Sequence, residues 1–227
     1  LGQCPNVPLF NILRLESLNH EEQMRYRFAV QEYCGRVPVP SYDIFNDPEL
    51  KSCCAEVQIN AIGRKLLDDD SHPIDHYNMG LALIATKQKS RAVQSLRRAV
   101  ALDPGYEPAI LALGLLLAET GELDEAAVFL SAAVALNPQK ADPYKYLGMV
   151  ELRRGELSSA ITNLSAAHNL TPDDPAIMNE LAVTHIHLGN NRRAVSYLIK
   201  ALEKNPQDSQ SRYWLELARK KIIEESR

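Results

Sequence analysis

Residues 141–174 read ADPYKYLGMVELRRGELSSAITNLSAAHNLTPDD, and the segment before them, 107–140, reads EPAILALGLLLAETGELDEAAVFLSAAVALNPQK. Laid one over the other, they place Leu147-Gly148 on Leu113-Gly114, Gly155 on Gly121, Leu164 on Leu130 and Pro172 on Pro138. The register runs on in both directions, because Pro104, Pro138, Pro172 and Pro206 are each 34 residues apart. A fixed period of this size marks stacked repeats, each too small to bury its apolar face alone.

Within each period the same spacing of small and large residues returns: Ala92, Leu96, Ala99; Ala126, Leu130, Ala133; Ala160, Leu164, Ala167; Ala194, Leu198, Ala201. Separations of three and four residues keep these side chains on one helical stripe. The first half of each unit carries a stripe of its own, through Met79-Gly80, Leu113-Gly114, Leu147-Gly148 and Leu181-Ala182. The pattern predicts helix pairs over 74–86 with 90–102, 107–119 with 123–136, 141–153 with 157–170, and 175–187 with 191–204. Gly121, Gly155 and Gly189 fall between the halves, where a short turn needs positive φ, while Gly80, Gly114, Gly148 and Ala182 let paired helices approach closely. Asp142-Pro143 and Asp174-Pro175 read as N-caps followed by proline at the first helical position. A last helix over 209–223, with Tyr213, Trp214, Leu217 and Ile222 inward, is expected to cap the stack.

With these residues on the page, the chain resembles the tetratricopeptide repeat (TPR) family, whose unit is a 34-residue helix–turn–helix with small residues and a proline at fixed places. The resemblance covers 73–206 closely and implies an all-α fold, a right-handed αα-superhelix or TPR solenoid, with a C-terminal capping helix and an N-terminal helical extension. The expected organisation is 1–72 as extension, approximate units at 73–106, 107–140, 141–174 and 175–208, and 209–227 as cap. Residues 1–72 do not keep the frame. Leu18 to Cys34 and Pro48 to Asp69 still read as helices, the second with Leu50, Cys54, Val57 and Ala61 in a stripe beside Ile62 and Leu66. Two units depart from the family where it prefers a large apolar residue, carrying Glu151 and His185 instead, so looser packing or hydrogen bonding is expected there.

The resemblance further implies that the leading helix of each unit lines a concave groove for a protein or peptide partner. Its groove places correspond here to Tyr77, Leu81 and Ile84; Leu111, Leu115 and Ala118; Lys145, Met149 and Leu152; and Asn179, Val183 and Ile186. Chaperone-binding members hold a terminal carboxylate there with a basic clamp, but this chain has Tyr77, Leu81, Ala112, Asp142 and Tyr146 instead. A mainly apolar groove suits an amphipathic helix or hydrophobic peptide. Two occupants stay open at this point: a partner, or the chain's own apolar segment Leu9 to Leu15.

Composition narrows the function classes. The formal net charge is -4, with 7 basic and 11 acidic residues in 1–72 and 18 of each after it, which argues against a nucleic-acid phosphate binder. The longest apolar run, Pro108 to Ala118, is too short to span a bilayer. No phosphate-binding loop, dinucleotide fingerprint, HExxH or GxSxG motif is present, so no catalytic residue, metal ligand or cofactor is expected. His185 and His187 point to different helix faces, and Asp68-Asp69-Asp70 beside His72 lacks the alternation of an oxygen-rich metal loop. Cys4, Cys34, Cys53 and Cys54 match no zinc spacing and leave disulfides and free thiols equally open. Asn163-Leu-Ser165 and Asn169-Leu-Thr171 match the glycosylation tripeptide but carry little weight, the first lying inside an expected helix. The first residue is Leu1, which reads as a processed or truncated chain.

The expectation is a non-catalytic adaptor or assembly factor, with a lean by resemblance toward bacterial envelope machinery. Two alternatives are a regulatory or targeting region of a larger enzyme and a self-associating scaffold that forms homo-oligomers.

Overall fold

The computed structural model describes residues 55, 59–60 and 62–225. The expected helix over Leu18 to Cys34, the first 17 residues and all four cysteines lie outside them. After a helical stretch at 62–68, the elements are α1 (Pro73–Ala85), α2 (Lys89–Leu102), α3 (Glu107–Thr120), α4 (Leu123–Leu136), α5 (Ala141–Arg154), α6 (Leu157–Leu170), α7 (Pro175–His187), α8 (Asn191–Lys204) and α9 (Ser209–Glu225). Every described element is a helix, and the fold is the all-α TPR type. Two compact units divide between Ala109 and Ile110.

In the first unit α1 packs on α2, and Lys65 of the leading helical stretch holds Asp75 with its Nζ 2.8 Å from Oδ1. Ala55 and Ile62 are buried, and Leu67 faces solvent. In the second unit α4 packs on α5, α5 on α6, α6 on α7, α7 on α8 and α8 on α9, so each helix rests on its sequence neighbour.

The small residues in the leading helices have a specific cause. A Cβ added at Gly80, Gly114 or Gly148 would sit 2.7, 2.9 or 2.6 Å from the Cγ of Leu96, Leu130 or Leu164 respectively. The large leucine of each trailing helix thus lies over a bare backbone, a close approach that a larger side chain would push apart. The turn between halves closes identically in all four units: Gln88, Glu122, Glu156 and Asn190 donate their N–H to the carbonyls of Leu83, Leu117, Glu151 and His185 at 2.8–2.9 Å. Such closure needs a left-handed residue just before it. Gly121, Gly155 and Gly189 supply φ of 95°, 79° and 75°, and in the first unit Lys87 does so at 60° with a side chain.

Two expectations are corrected. Asp174 is an N-cap, accepting from the Ala176 N–H at 2.8 Å, but Asp142 is not, because α5 already starts at Ala141 behind an uncapped Lys140. Proline is tolerated at Pro143 because the first turn's N–H groups have no partner inside the helix. In the last helix the inward stripe is Ser211, Leu215 and Ala218 with Trp214 half-buried, whereas Tyr213 is 62% exposed. Tyr213 lies about 200° around the helix from Ser211 and Leu215, so it cannot join their stripe. The repeat frame explains this: α9 is a fifth leading helix, with Ser211, Leu215 and Ala218 where α7 has Ile177, Leu181 and Thr184. Exposed Glu216 stands at the place of Gly80, Gly114, Gly148 and Ala182.

Candidate protein-binding face

In the second unit the leading helices meet one another directly. Arg153 on α5 donates from Nη1 to the Ala118 carbonyl of α3 at 2.6 Å, and α7 touches both α5 and α9. One wall therefore runs along these leading helices. Of the residues assigned to it by sequence, Leu111, Leu115, Met149 and Leu152 are half-buried, while Ala118, Val183 and Ile186 are buried and support the wall from within. In the first unit Tyr77, Leu81 and Ile84 are half-buried on α1, with the Tyr77 ring edge-on to Tyr106 at 5.4 Å between centroids.

The two polar residues of the set are already engaged. Lys145 lies 2.9 Å from Asp142 and 3.7 Å from Asp174, with its Nζ 5.0 Å from the Tyr146 ring centroid. Burial opposes its charge, but the Asp142 hydrogen bond and the surrounding negative charges hold the ammonium above the ordinary lysine value. Asn179 donates from Nδ2 to Asp208 at 2.9 Å and accepts from the Ser211 hydroxyl at 2.6 Å, tying α7 to the start of α9. Sequence reading missed Tyr213 and Leu217, which occupy on α9 the places of Asn179 and Val183. Continuing the 34-residue frame past Pro206 would have found them.

The two departures from the family pattern face away from this wall, toward the trailing helices. Glu151 accepts from Asn163 Nδ2 at 2.7 Å, and burial raises its carboxyl above the ordinary value despite that bond. His185 stacks on Tyr197 with centroids 5.8 Å apart, and burial, aided by the Arg193 charge, lowers its pKa. His187 is exposed, so the two histidines part as expected. No cluster of potential metal ligands and no helix long and apolar enough to cross a membrane occurs among the described residues.

Residues 72–226 match the model of the Cilia and flagella-associated protein 70 C-terminal domain, a TPR family. The chain belongs to that family. Among solved structures it is similar to MamA, at 26% identity and a TM-score of 0.65 over 73% of this chain and 97% of that one. It shares the fold of YrrB, titled as a TPR protein with an unusual peptide-binding site, at 20% identity and a TM-score of 0.61 over 74% of this chain and 91% of that one. The same holds for a thermophilic TPR protein of Thermus thermophilus, at 23% identity and a TM-score of 0.58 over 85% and 95% of the two chains. No curated protein sequence matches. As a TPR domain, this chain is a protein–protein interaction module.

Proposed function

We propose that the chain is a non-catalytic adaptor that binds a peptide or amphipathic helix on the leading-helix wall of residues 110–227. One observation carries the reading: Leu111, Leu115, Met149 and Leu152 remain half-buried on a wall whose backbone is already fixed by helix-to-helix packing. A preformed apolar surface loses little freedom on binding, so burial of a partner's side chains goes into affinity. The family name, that of a cilia and flagella-associated protein, gives a context for such an adaptor.

The test is selection of a displayed random-peptide library on the immobilised chain, repeated with a Leu115→Asp, Met149→Asp variant whose circular dichroism and melting match the parent. Peptides enriched by the parent should bind the variant at least tenfold more weakly. Equal binding to both would place the site elsewhere.

A further inference from the structure

Glu180 is a half-buried carboxylate on the middle of α7. At about 100° per residue, Ala176, Glu180, Val183 and His187 share one side of the helix, opposite Met178 and Ala182. Ala182 packs with Ala194 and Leu198 of α8, so Glu180 projects away from α8, onto the leading-helix wall. One unit before and one unit after it, the same place on α5 and α9 holds Tyr146 and Trp214, both half-buried. An acid thus stands where the neighbouring units have aromatic residues, on a wall that also carries Leu111, Leu115, Met149 and Leu152.

Two cations of that wall are engaged elsewhere. Lys145 is held by Asp142 and Asp174, and Arg153 by the Ala118 carbonyl. Glu180 accepts no hydrogen bond and forms no ion pair with its side chain among the described residues. Burial alone pushes its carboxyl above the ordinary glutamate value, with no charge of either sign contributing. A half-buried acid that the fold leaves without a cation loses part of its hydration for no ion pair, a cost that Gln or Leu in its place would not carry.

We infer that Glu180 is the anchor for a basic side chain of the bound partner, a lysine or arginine on an otherwise apolar peptide or helix. The alkyl stem of such a residue covers half-buried side chains of the wall while its charged head meets the carboxylate. Arginine suits the site better than lysine, since its planar fork pairs with a carboxylate through two parallel bonds. This rests on the wall being the binding surface and adds the partner's chemistry to it.

The test uses the same library selection on the intact chain and on Glu180→Gln. Parent-selected peptides should carry one Arg or Lys at a fixed distance from their apolar residues. Glu180→Gln should bind those peptides roughly tenfold or more weakly, and should bind their Arg→Gln versions as the parent does. Its melting temperature should equal or exceed the parent's, which separates lost recognition from lost folding. Apolar peptides without a common basic residue, or basic peptides bound equally by Glu180→Gln, would overturn the inference while leaving the wall as the binding surface. Failure of any peptide to enrich, or indifference to the Leu115→Asp, Met149→Asp change, would remove the surface and the inference together.

Discussion

Leu83 and Leu117 lie in the interior at 1% and 0% exposure, and the same place in the next two units holds Glu151 and His185 at 8% and 7%. Twelve residues further on, the facing place on the trailing helix changes with it: Ser95 and Phe129 in the first two units, Asn163 and Tyr197 in the last two. Where the leading helix brings a carboxylate, the trailing helix brings an amide 2.7 Å away; where it brings an imidazole, a phenol ring stacks on it at an interplanar angle of 11°. The comparison teaches that the helix pair tolerates very different chemistry at its centre as long as both ends of the contact match. A buried polar group costs little when its partner is in place and a good deal when it is not.

The strongest way to break the comparison is Asn163→Leu, which leaves the Glu151 carboxylate buried without its donor. Urea unfolding should show a loss of about 2 kcal/mol. Installing the second unit's pair in full, Glu151→Leu with Asn163→Phe, should recover most of it, because burial of an apolar pair replaces the hydrogen bond. A full loss in the double variant as well would mean that the two places are not coupled.

A smaller effect sharpens the contrast between the first unit and the others. Lys87 holds the left-handed turn position that Gly121, Gly155 and Gly189 hold elsewhere. Lys87→Gly should therefore stabilise the chain by about 1 kcal/mol, read as a raised urea midpoint, since a side chain in that conformation is strained.

The smallest effect is in the pH dependence. His185 has a lowered pKa in the folded state, so below 6.5 the unfolded chain takes up a proton that the folded chain refuses. Its contribution to stability is complete above 6.5 and falls as the pH drops from there. Glu151 and Glu180, raised from 4.5, act in the opposite sense: they favour the folded state less as pH rises above 4.5. His185→Phe should keep the stack on Tyr197 and make stability fall less steeply between pH 6.5 and 5, measured by urea unfolding across that range. An unchanged slope would show that His185 titrates alike in both states.

Much of the fold is legible in the sequence because a repeated frame tests each assignment several times over. The helix expected at 90–102 is Lys89–Leu102, and that expected at 175–187 is Pro175–His187. The differences fall where another cue stands in for the frame. Hydrophobicity points Tyr213 inward, although its place in the frame puts it on the leading-helix wall, and the neighbouring Pro143 gives Asp142 the look of a cap. Glu180 is invisible to sequence reading, because a glutamate on an amphipathic helix ordinarily stands fully in water, and only the neighbouring helices show that it is half-buried.

By itself the sequence determined the helix pairs, their register and the turns between them, since periodicity, small residues and positive-φ glycines are local and recur every 34 residues. Only the tertiary structure decided which polar residues have partners. Asn163 meets Glu151, Tyr197 meets His185 and Asp208 meets Asn179 across helices, while Glu180 meets no charge among the described residues. Such matches depend on distances between side chains on different helices, and a linear pattern of residue types does not contain them.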